Sequence, residues 1–186
     1  MNETIGNIKS RRSIRAFKQE QIKDEELQLI LEAGLYAPSA HNQQSWHFTV
    51  IQNKEILDDL NESSKEAGKI FNDKYIQQLS NNEKFHTFYH APTAVIISGK
   101  KDSLMPFADC AAATQNMLVA AQSIGIGSCW IGLVSLVFNG EKAKKYQDKL
   151  GIPEGYQPYH AVALGYKKVK STKAFARKEN TVNYIR

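Results

Sequence analysis

The chain has 186 residues, is 42% apolar and includes eight Phe, eight Tyr and two Trp, so it can bury a sizeable core in one domain, residues 1–186. No stretch approaches the ~20 apolar residues of a membrane helix, and the N-terminus lacks the basic start and apolar run of a secretory signal. The formal net charge of +5 suits nucleic acid, a membrane surface or an anionic small molecule.

The first part of the chain predicts two helices and a strand. A short helix over 2–9 precedes a helix that begins at an Asp24 N-cap, has acidic residues in its first turn and ends at Pro38. Alternating character over 46–51 predicts a strand. Apolar residues at helical spacing predict that the second helix buries one face, formed by Leu27, Ile30, Leu31 and Leu35.

The rest of the chain alternates between predicted helices and strands. Two helices broken near Gly68 span 54–79, and an irregular connection spans 80–90. An Ala-rich helix over 107–124 is apolar nearly all round, which predicts the central buried helix. The remaining predictions are strands over 93–97, 128–131 and 160–166, an amphipathic helix over 141–150 and extended residues over 181–185. This alternation predicts a sheet with helices on its faces.

Glycine and cysteine usage exclude two common classes of site. No Gly-x-Gly-x-x-Gly turn follows the first strand, and Gly125-Ile126-Gly127 leads into a strand rather than a helix, which argues against a Rossmann dinucleotide site. Cys110 and Cys129 are predicted to be small buried hydrophobic residues in a reducing cytoplasm. Cysteine and histidine do not cluster as a zinc site requires. We therefore expect a cytoplasmic protein with no metal site and no membrane contact.

Basic residues concentrate in two segments that lack acidic residues, 9–18 with five and 167–178 with six. The first contains Arg11-Arg12-Ser13-Ile14-Arg15, whose guanidiniums and hydroxyl can bind a phosphate dianion with a geometry that lysine does not reproduce. Two short segments suit a phosphate pocket better than a duplex footprint, so nucleic acid is not an expected partner. The alternative is that both segments are solvated and aid solubility.

Two further segments have the chemistry of a heterocycle site. Residues 37–46 place small and amide side chains between a helix end and Trp46. Amides such as Asn42 and Gln44 offer hydrogen-bond donors and acceptors together. Gly132 ends a predicted strand and lets a ligand approach backbone N–H groups closely, because it has no side chain. The alternatives are a helix-terminating loop with a core Trp and an ordinary turn.

Taken together, these motifs resemble the nitroreductase family. They follow one another in the family's order over nearly the whole length of the chain. The motifs are Arg-Arg-Ser-x-Arg at 11–15, Ala-Pro-Ser-x-x-Asn-x-Gln at 37–44 before Trp46-His47-Phe48, Asp109 and Gln115-Asn116-Met117-Leu118, Gly125-x-Gly127-Ser128-x-Trp130-Ile131-Gly132, and the basic motif around Arg177-Lys178.

The resemblance implies an α+β fold, a three-layer sandwich with a central mixed sheet flanked by helices, in an intertwined homodimer with FMN at the subunit interface. Such a dimer accounts for terminal segments that look ordered but carry little apolar surface of their own. The residues implied to contact FMN are Arg11, Arg12, Ser13, Arg15, Pro38, Ser39, Ala40, Asn42, Gln44, Ile131, Gly132, Leu133, Arg177 and Lys178.

The resemblance also implies individual roles. Arg11, Ser13 and Arg177 are expected to bind the FMN phosphate, with Arg12 beside them. Arg15 matches the position whose cationic side chain reaches the pyrimidine edge of the flavin, where positive charge favours the reduced ring.

Other matched positions surround the flavin ring. Pro38 and Ser39 are expected to come from the other subunit and to pack around the ring and the ribityl chain. The backbone N–H of Gly132 matches the donor to flavin N5, the atom that accepts hydride.

This chain departs from the family pattern in three places. Some members carry an acidic residue where Gly132 stands. Phe175 occupies the position of a lysine near the basic C-terminal arginine, with Lys173 and Lys178 as substitutes. The segment 68–90, which shapes the substrate channel in relatives, does not align, and its candidates to face the flavin are Phe71, Asn72, Asn82, Phe85 and His86.

The implied function is an FMN-dependent oxidoreductase that passes hydride from NAD(P)H, through flavin N5, to an electron-poor small molecule such as a nitroaromatic or a quinone, in a ping-pong cycle. The flavin carries the chemistry, so His41, His47 and His86 are expected to be structural or solvent-facing. Two alternatives stay open: another reaction on the same fold, such as dehalogenation or flavin fragmentation, and a non-enzymatic flavin store or sensor. The physiological acceptor and the choice of NADH or NADPH also stay open.

Overall fold

The computed structural model describes residues 2–169 and 174–186. Within them, no helix is both long and apolar enough to span a bilayer. The helices are α1 (Glu3–Ser10), α2 (Asp24–Leu35), α3 (Lys54–Lys69), α4 (Lys74–Asn81), α5 (Pro106–Ser123), α6 (Ser135–Phe138) and α7 (Ala143–Lys149). The strands are β1 (Trp46–Ile51), β2 (Thr93–Lys100), β3 (Gly127–Ile131) and β4 (Tyr156–Gly165).

The four strands form one antiparallel sheet in the order β1-β2-β4-β3. Strand β2 pairs with β1 on one side and with β4 on the other, and β3 pairs with the second half of β4. The expected mixed sheet is therefore wrong for the described residues, where parallel pairing occurs only as an isolated bridge between Ser13 and Ser128. Strands β2 and β3, which α5 connects, run in the same direction but are separated by β4, which is antiparallel to both. Helix–strand alternation therefore does not impose parallel pairing here.

Both faces of the sheet are buried. Successive side chains of a strand point to opposite faces, and those of β2 enter two different cores. Ile96 of β2 belongs to a core that α3, α6 and α7 complete. Its neighbours Val95 and Ile97 belong to a second core, completed by α2 and α5. Burial on both faces explains why β2 is a continuous apolar run and not an alternating one.

The helices differ from prediction in four details. Lys23, not Asp24, is the N-cap of α2, and its backbone N–H donates to the Glu26 carboxylate at 2.9 Å. Leu35 is the last residue of α2, belongs to neither core and is 54% exposed. Helix α5 is buried on one side only, since Phe107 in its first turn is 60% exposed. Helix α6 was not predicted, because four residues are too few to show a periodic pattern.

The terminal segments contribute little to either core. None of the residues of α1 is buried. Residues 181–185, predicted to be extended, form no helix or strand and are exposed. Lys173, one of the two expected substitutes for the family's lysine, lies outside the described residues.

Candidate functional site

The two basic segments meet at the β3 edge of the sheet. After α1 the chain runs beside β3, where the Ile14 N–H donates to the Ser128 carbonyl at 2.9 Å. It then meets the segment that leaves β4, because the Lys18 N–H donates to the Tyr166 carbonyl at 2.9 Å and the Lys168 N–H donates to the Ala16 carbonyl at 3.0 Å. Backbone hydrogen bonds therefore hold residues 16–18 and 166–168 side by side.

A cavity of about 250 Å³ lies where these segments meet, and the described residues that line it include four arginines and no acidic side chain. Two buried guanidinium atoms, Arg11 Nη1 and Arg12 Nε, have no hydrogen-bond partner among the described residues. Buried donors are normally paired, so this cavity has the charge and the free donors that an anion needs. The lining consists of Arg11, Arg12, Ser13, Arg15, Ala174, Phe175 and Arg177.

The arginines of the cavity are held to different degrees. Arg12 Nη1 donates to the carbonyls of Lys9 at 2.8 Å and Arg11 at 2.7 Å, so it satisfies acceptors at the C-terminal end of α1. Arg177 Nη1 reaches the Phe175 carbonyl at 3.5 Å. Phe175 itself is 89% exposed. The side chain on the α1 side of the cavity is therefore fixed by hydrogen bonds, whereas the C-terminal side is lined by an exposed residue.

Arg15 lies beside an aromatic side chain. Its Nε donates to the Tyr89 hydroxyl at 3.3 Å, and its Cζ lies 5.8 Å from the centre of the Tyr89 ring. Burial opposes the charged form, but the Tyr89 hydrogen bond and the neighbouring Cys129, Tyr89 and Tyr75 outweigh it, so the pKa of Arg15 is raised. Arg15 is a permanent cation at the edge of the cavity.

Both cysteines are buried and free, as predicted. Burial, with a smaller contribution from Asp109, raises the pKa of Cys110 to about 12. Burial also raises the pKa of the Cys129 thiol, although Arg15, Ser13 and Arg11 oppose it. Neither side chain is a thiolate nucleophile at neutral pH.

Strand β3 ends at an open position. A Cβ placed on Gly132 would have no atom of the described chain within 4 Å, so ligand atoms can approach this backbone. The residues on either side differ, because Ile131 is buried and Leu133 is half-buried. The Gly132 carbonyl accepts the backbone N–H of Ser135 at 3.1 Å, which starts the turn into α6.

The loop before β1 has a strained backbone that a buried carboxylate holds. Three of its residues have positive φ, namely His41 at 49°, Asn42 at 53° and Gln44 at 47°. Asp109, buried in α5, accepts the Ala40 N–H at 2.9 Å and the Ser45 hydroxyl at 2.9 Å. The carboxylate thus fixes both ends of the strained segment.

Comparison with known proteins assigns the family. The sequence model of the nitroreductase family matches residues 8–166.

The chain belongs to the nitroreductase family.

Individual nitroreductase relatives cover nearly all of this chain. A crystal structure of a nitroreductase with bound FMN from Bacteroides fragilis is 39% identical, with a TM-score of 0.91 and complete coverage of both chains. A protein of Archaeoglobus fulgidus, provisionally named an NADH dehydrogenase/NAD(P)H nitroreductase, is 36% identical over 90% of this chain and 87% of its own. An NADPH-flavin oxidoreductase of Vibrio harveyi is 29% identical over 89% of this chain and 66% of its own.

The structure brings part of the predicted nitroreductase site together within one chain. Four arginines and Ser13 line the same cavity. The loop residues Pro38, Ser39, Ala40, Asn42 and Gln44 do not line it, and neither does Lys178. The amide of Gln44 donates to Asn42 Oδ1 at 3.1 Å, and the Gln44 N–H donates to the Ser39 hydroxyl at 2.9 Å, so these side chains stabilise their own loop.

Sequence reasoning missed two residues that organise the site. Tyr89 has no role in the predicted set, and it lies in a segment without a periodic pattern. Asp109 was identified only as part of a motif, and its buried hydrogen bonds to the loop could have been suspected from an acidic residue on an apolar helix. His86, expected to be structural, is buried and lies with Nε2 3.3 Å from Asp58 Oδ1.

Proposed function

We propose that this chain is an FMN-dependent oxidoreductase that uses NAD(P)H to reduce an electron-poor small molecule such as a nitroaromatic or a quinone. The observation that carries the proposal is the arginine-lined cavity, which joins the two basic segments and retains free buried donors. The FMN in the Bacteroides fragilis structure and the name of the Vibrio harveyi relative support the choice of cofactor and reductant.

The cavity fits the phosphate of FMN. Arg11, Ser13 and Arg177 supply donors from both basic segments, and guanidiniums bind phosphate oxygens bidentately. Arg12 adds positive charge while it remains bound to the end of α1. A phosphate dianion would pair the free Arg11 and Arg12 donors, which removes a desolvation cost that this chain otherwise carries.

The roles of the chain at the flavin ring are electrostatic and steric. When bound, FMN would supply the redox chemistry, with N5 as the atom that takes hydride from NAD(P)H before the acceptor is reduced. The Arg15 guanidinium would stabilise negative charge on the pyrimidine edge of the reduced ring. The open space at Gly132 would admit the ring, and its backbone N–H would donate to N5, while Ile131 and Leu133 hold the strand end on either side.

The second subunit completes this site. The loop that carries Pro38, Ser39, Ala40, Asn42 and Gln44 does not reach the arginine cavity of its own chain. We assign this loop to the cavity of a partner copy in an intertwined homodimer, where the α+β chains form a three-layer arrangement. Lys178 lies next to Arg177 and adds positive charge to the same segment.

Steady-state kinetics test this function. Purified protein is supplied with FMN, then with NADH or NADPH and either menadione or nitrofurazone, without oxygen. Turnover with parallel double-reciprocal lines is expected, because the reductant and the acceptor occupy the same place in succession. No turnover with either reductant and either acceptor, in protein that holds FMN, would contradict the proposed reaction.

A further inference from the structure

Tyr89 is the polar partner that holds the Arg15 side chain. Arg15 makes one side-chain hydrogen bond among the described residues, from Nε to the Tyr89 hydroxyl at 3.3 Å. It takes part in none of the ion pairs there. An arginine side chain has many accessible rotamers, so an exposed guanidinium without this partner would sample many positions.

The backbone at Tyr89 is held in an unfavourable conformation. Tyr89 and His90 have φ of 53° and 55°, a left-handed region that is strained for a bulky residue. Two hydrogen bonds compensate, because the Tyr89 N–H donates to the His86 carbonyl at 2.8 Å and the Ala91 N–H donates to the Phe88 carbonyl at 3.0 Å. The Phe85 ring packs edge-on against the Tyr89 ring at 5.8 Å.

His86 anchors this turn to α3. Its Nδ1 accepts the backbone N–H groups of Phe88 at 3.1 Å and His90 at 3.4 Å. The other ring nitrogen faces Asp58 of α3 at 3.3 Å, and Asp58 also pairs with Lys54. The strained turn is therefore built on a rigid element, and it presents the Tyr89 hydroxyl at a fixed point.

We propose that Tyr89 is a positioning residue that fixes the Arg15 guanidinium at the edge of the cavity and so sets the charge presented to the bound cofactor. Tyr89 acts through Arg15 and not by contact with the reacting atoms. The inference rests on the proposed function, since it concerns the flavin edge that Arg15 faces.

A double-mutant cycle tests this coupling. The dissociation constant and the midpoint potential of FMN are measured in wild type, Arg15→Ala, Tyr89→Phe and the double variant. Tyr89→Phe keeps the ring and its packing on Phe85 but removes the hydroxyl. It should weaken FMN binding about 3- to 10-fold, the range for the net contribution of one ordinary hydrogen bond, because the Arg15 charge itself remains, and it should lower the potential in the same direction as Arg15→Ala. The double variant should match Arg15→Ala.

Tyr166→Phe is the matched control, because it also removes a tyrosine hydroxyl bonded to a charged side chain, Glu26 at 2.7 Å. It should leave FMN affinity and potential unchanged. Equal values in Tyr89→Phe and wild type, or additive effects in the double variant, would overturn the inference while the function stands. Wild-type protein that binds no FMN would overturn the function and the inference together.

Discussion

His86 connects the protonation state of one side chain to the shape of the site. Its Nδ1 accepts two backbone N–H groups, so the ring has to be neutral in the folded protein. Burial first, and the neighbouring His90 second, lower the pKa of His86, against the opposing effects of Asp58. Protonation would place a hydrogen on Nδ1 and break the turn that presents Tyr89.

The sign of the resulting pH dependence follows from this lowered pKa. In the unfolded chain His86 takes up its proton near pH 6.5, whereas the folded chain resists it, so stability is lost as the pH falls below about 6.5. The slope is at most about 1.4 kcal/mol per pH unit for one histidine. Asp58, whose pKa is lowered mainly by its hydrogen bond to Lys54, loses its contribution only nearer its own usual range, at about pH 4.

Denaturant unfolding at pH 7.5 and pH 5 measures this effect in wild type and in His86→Asn. The Asn side-chain oxygen can accept a backbone N–H but does not titrate, so the variant should lose less free energy of unfolding between these two pH values. His160, whose pKa burial also lowers, remains in both proteins and contributes equally. An equal loss of free energy of unfolding in both proteins would show that protonation of His86 does not contribute to the pH dependence of stability.

At the residue scale, the sequence could predict which side chains are able to bind an anion, but not which other side chains contact them. Arg11, Arg12, Ser13 and Arg15 were selected as phosphate candidates from their residue types and from the order of the family motifs, and the structure places them around one cavity. Tyr89 was not, because its role depends on a positive φ that its residue type does not favour.

At the scale of elements, the arginine cavity forms because backbone hydrogen bonds dock residues 13–18 onto β3 and the end of β4. If the cavity binds the FMN phosphate, removing one arginine should affect FMN far more than riboflavin, which has the same ring without the phosphate. Arg11→Ala and Arg177→Ala should each weaken FMN binding about 10- to 100-fold, the range for a lost charge-assisted hydrogen bond.

Fluorescence titration with both ligands measures this difference. Riboflavin affinity should change less than about 2-fold, a few tenths of a kcal/mol on the scale of a surface charge. Lys18→Ala is the charge-matched control, because Lys18 is exposed in the same basic segment and does not line the cavity. An equal loss of FMN and riboflavin affinity would mean that the arginines do not face the phosphate.

The loop before β1 depends on α5 in a comparable way. Asp109→Ala leaves the Ala40 N–H and the Ser45 hydroxyl without their acceptor, so the free energy of unfolding should fall by about 2–4 kcal/mol. Asp102→Ala is the control, since this exposed aspartate only approaches Lys100 at 3.4 Å and should cost less than about 1 kcal/mol. Urea unfolding of wild type and both variants measures these losses. Equal stability of the two variants would refute the structural role of Asp109.

Predicted and observed bounds agree closely for β1, which was predicted from its alternating residues, and for α5, which was predicted from a long Ala-rich segment. Strand β4 begins at Tyr156, four residues before its predicted start, and it contains Pro158, a residue that is unusual inside a strand. In the structure Pro158 pairs with Ser98 where the register shifts between Ile97 and Ser98, and such an irregularity tolerates proline. The same shift explains why β2 extends beyond its predicted end.

At the scale of the whole molecule, the chain leaves apolar side chains exposed that a partner would bury. Ile185 near the C-terminus is fully exposed at 101%, and Phe107, Trp130 and Tyr184 are also accessible. Strand order and partner contacts depend on long-range packing, so the spacing of residues could not supply them. The homodimer is therefore a proposal drawn from the family resemblance and from these exposed side chains.

Sedimentation velocity tests the dimer. Wild type should have twice the mass of one chain at micromolar concentration, and Ile185→Asp should dissociate at concentrations where wild type does not, because a buried charge is costly. Asn180→Asp adds the same charge to the same segment without removing apolar surface, and it should behave as wild type. A monomeric wild type would contradict the proposal that the loop before β1 completes the cavity of a partner subunit.

The visible absorption spectrum of FMN-supplied protein, recorded without oxygen before and after addition of NAD(P)H, tests the central claim most directly. The proposed function predicts a yellow protein with the two-band flavin spectrum that bleaches when the reductant is added. A protein that stays colourless after FMN is supplied would contradict the cofactor assignment. A yellow protein that does not bleach would contradict the reductase and favour a flavin store or sensor.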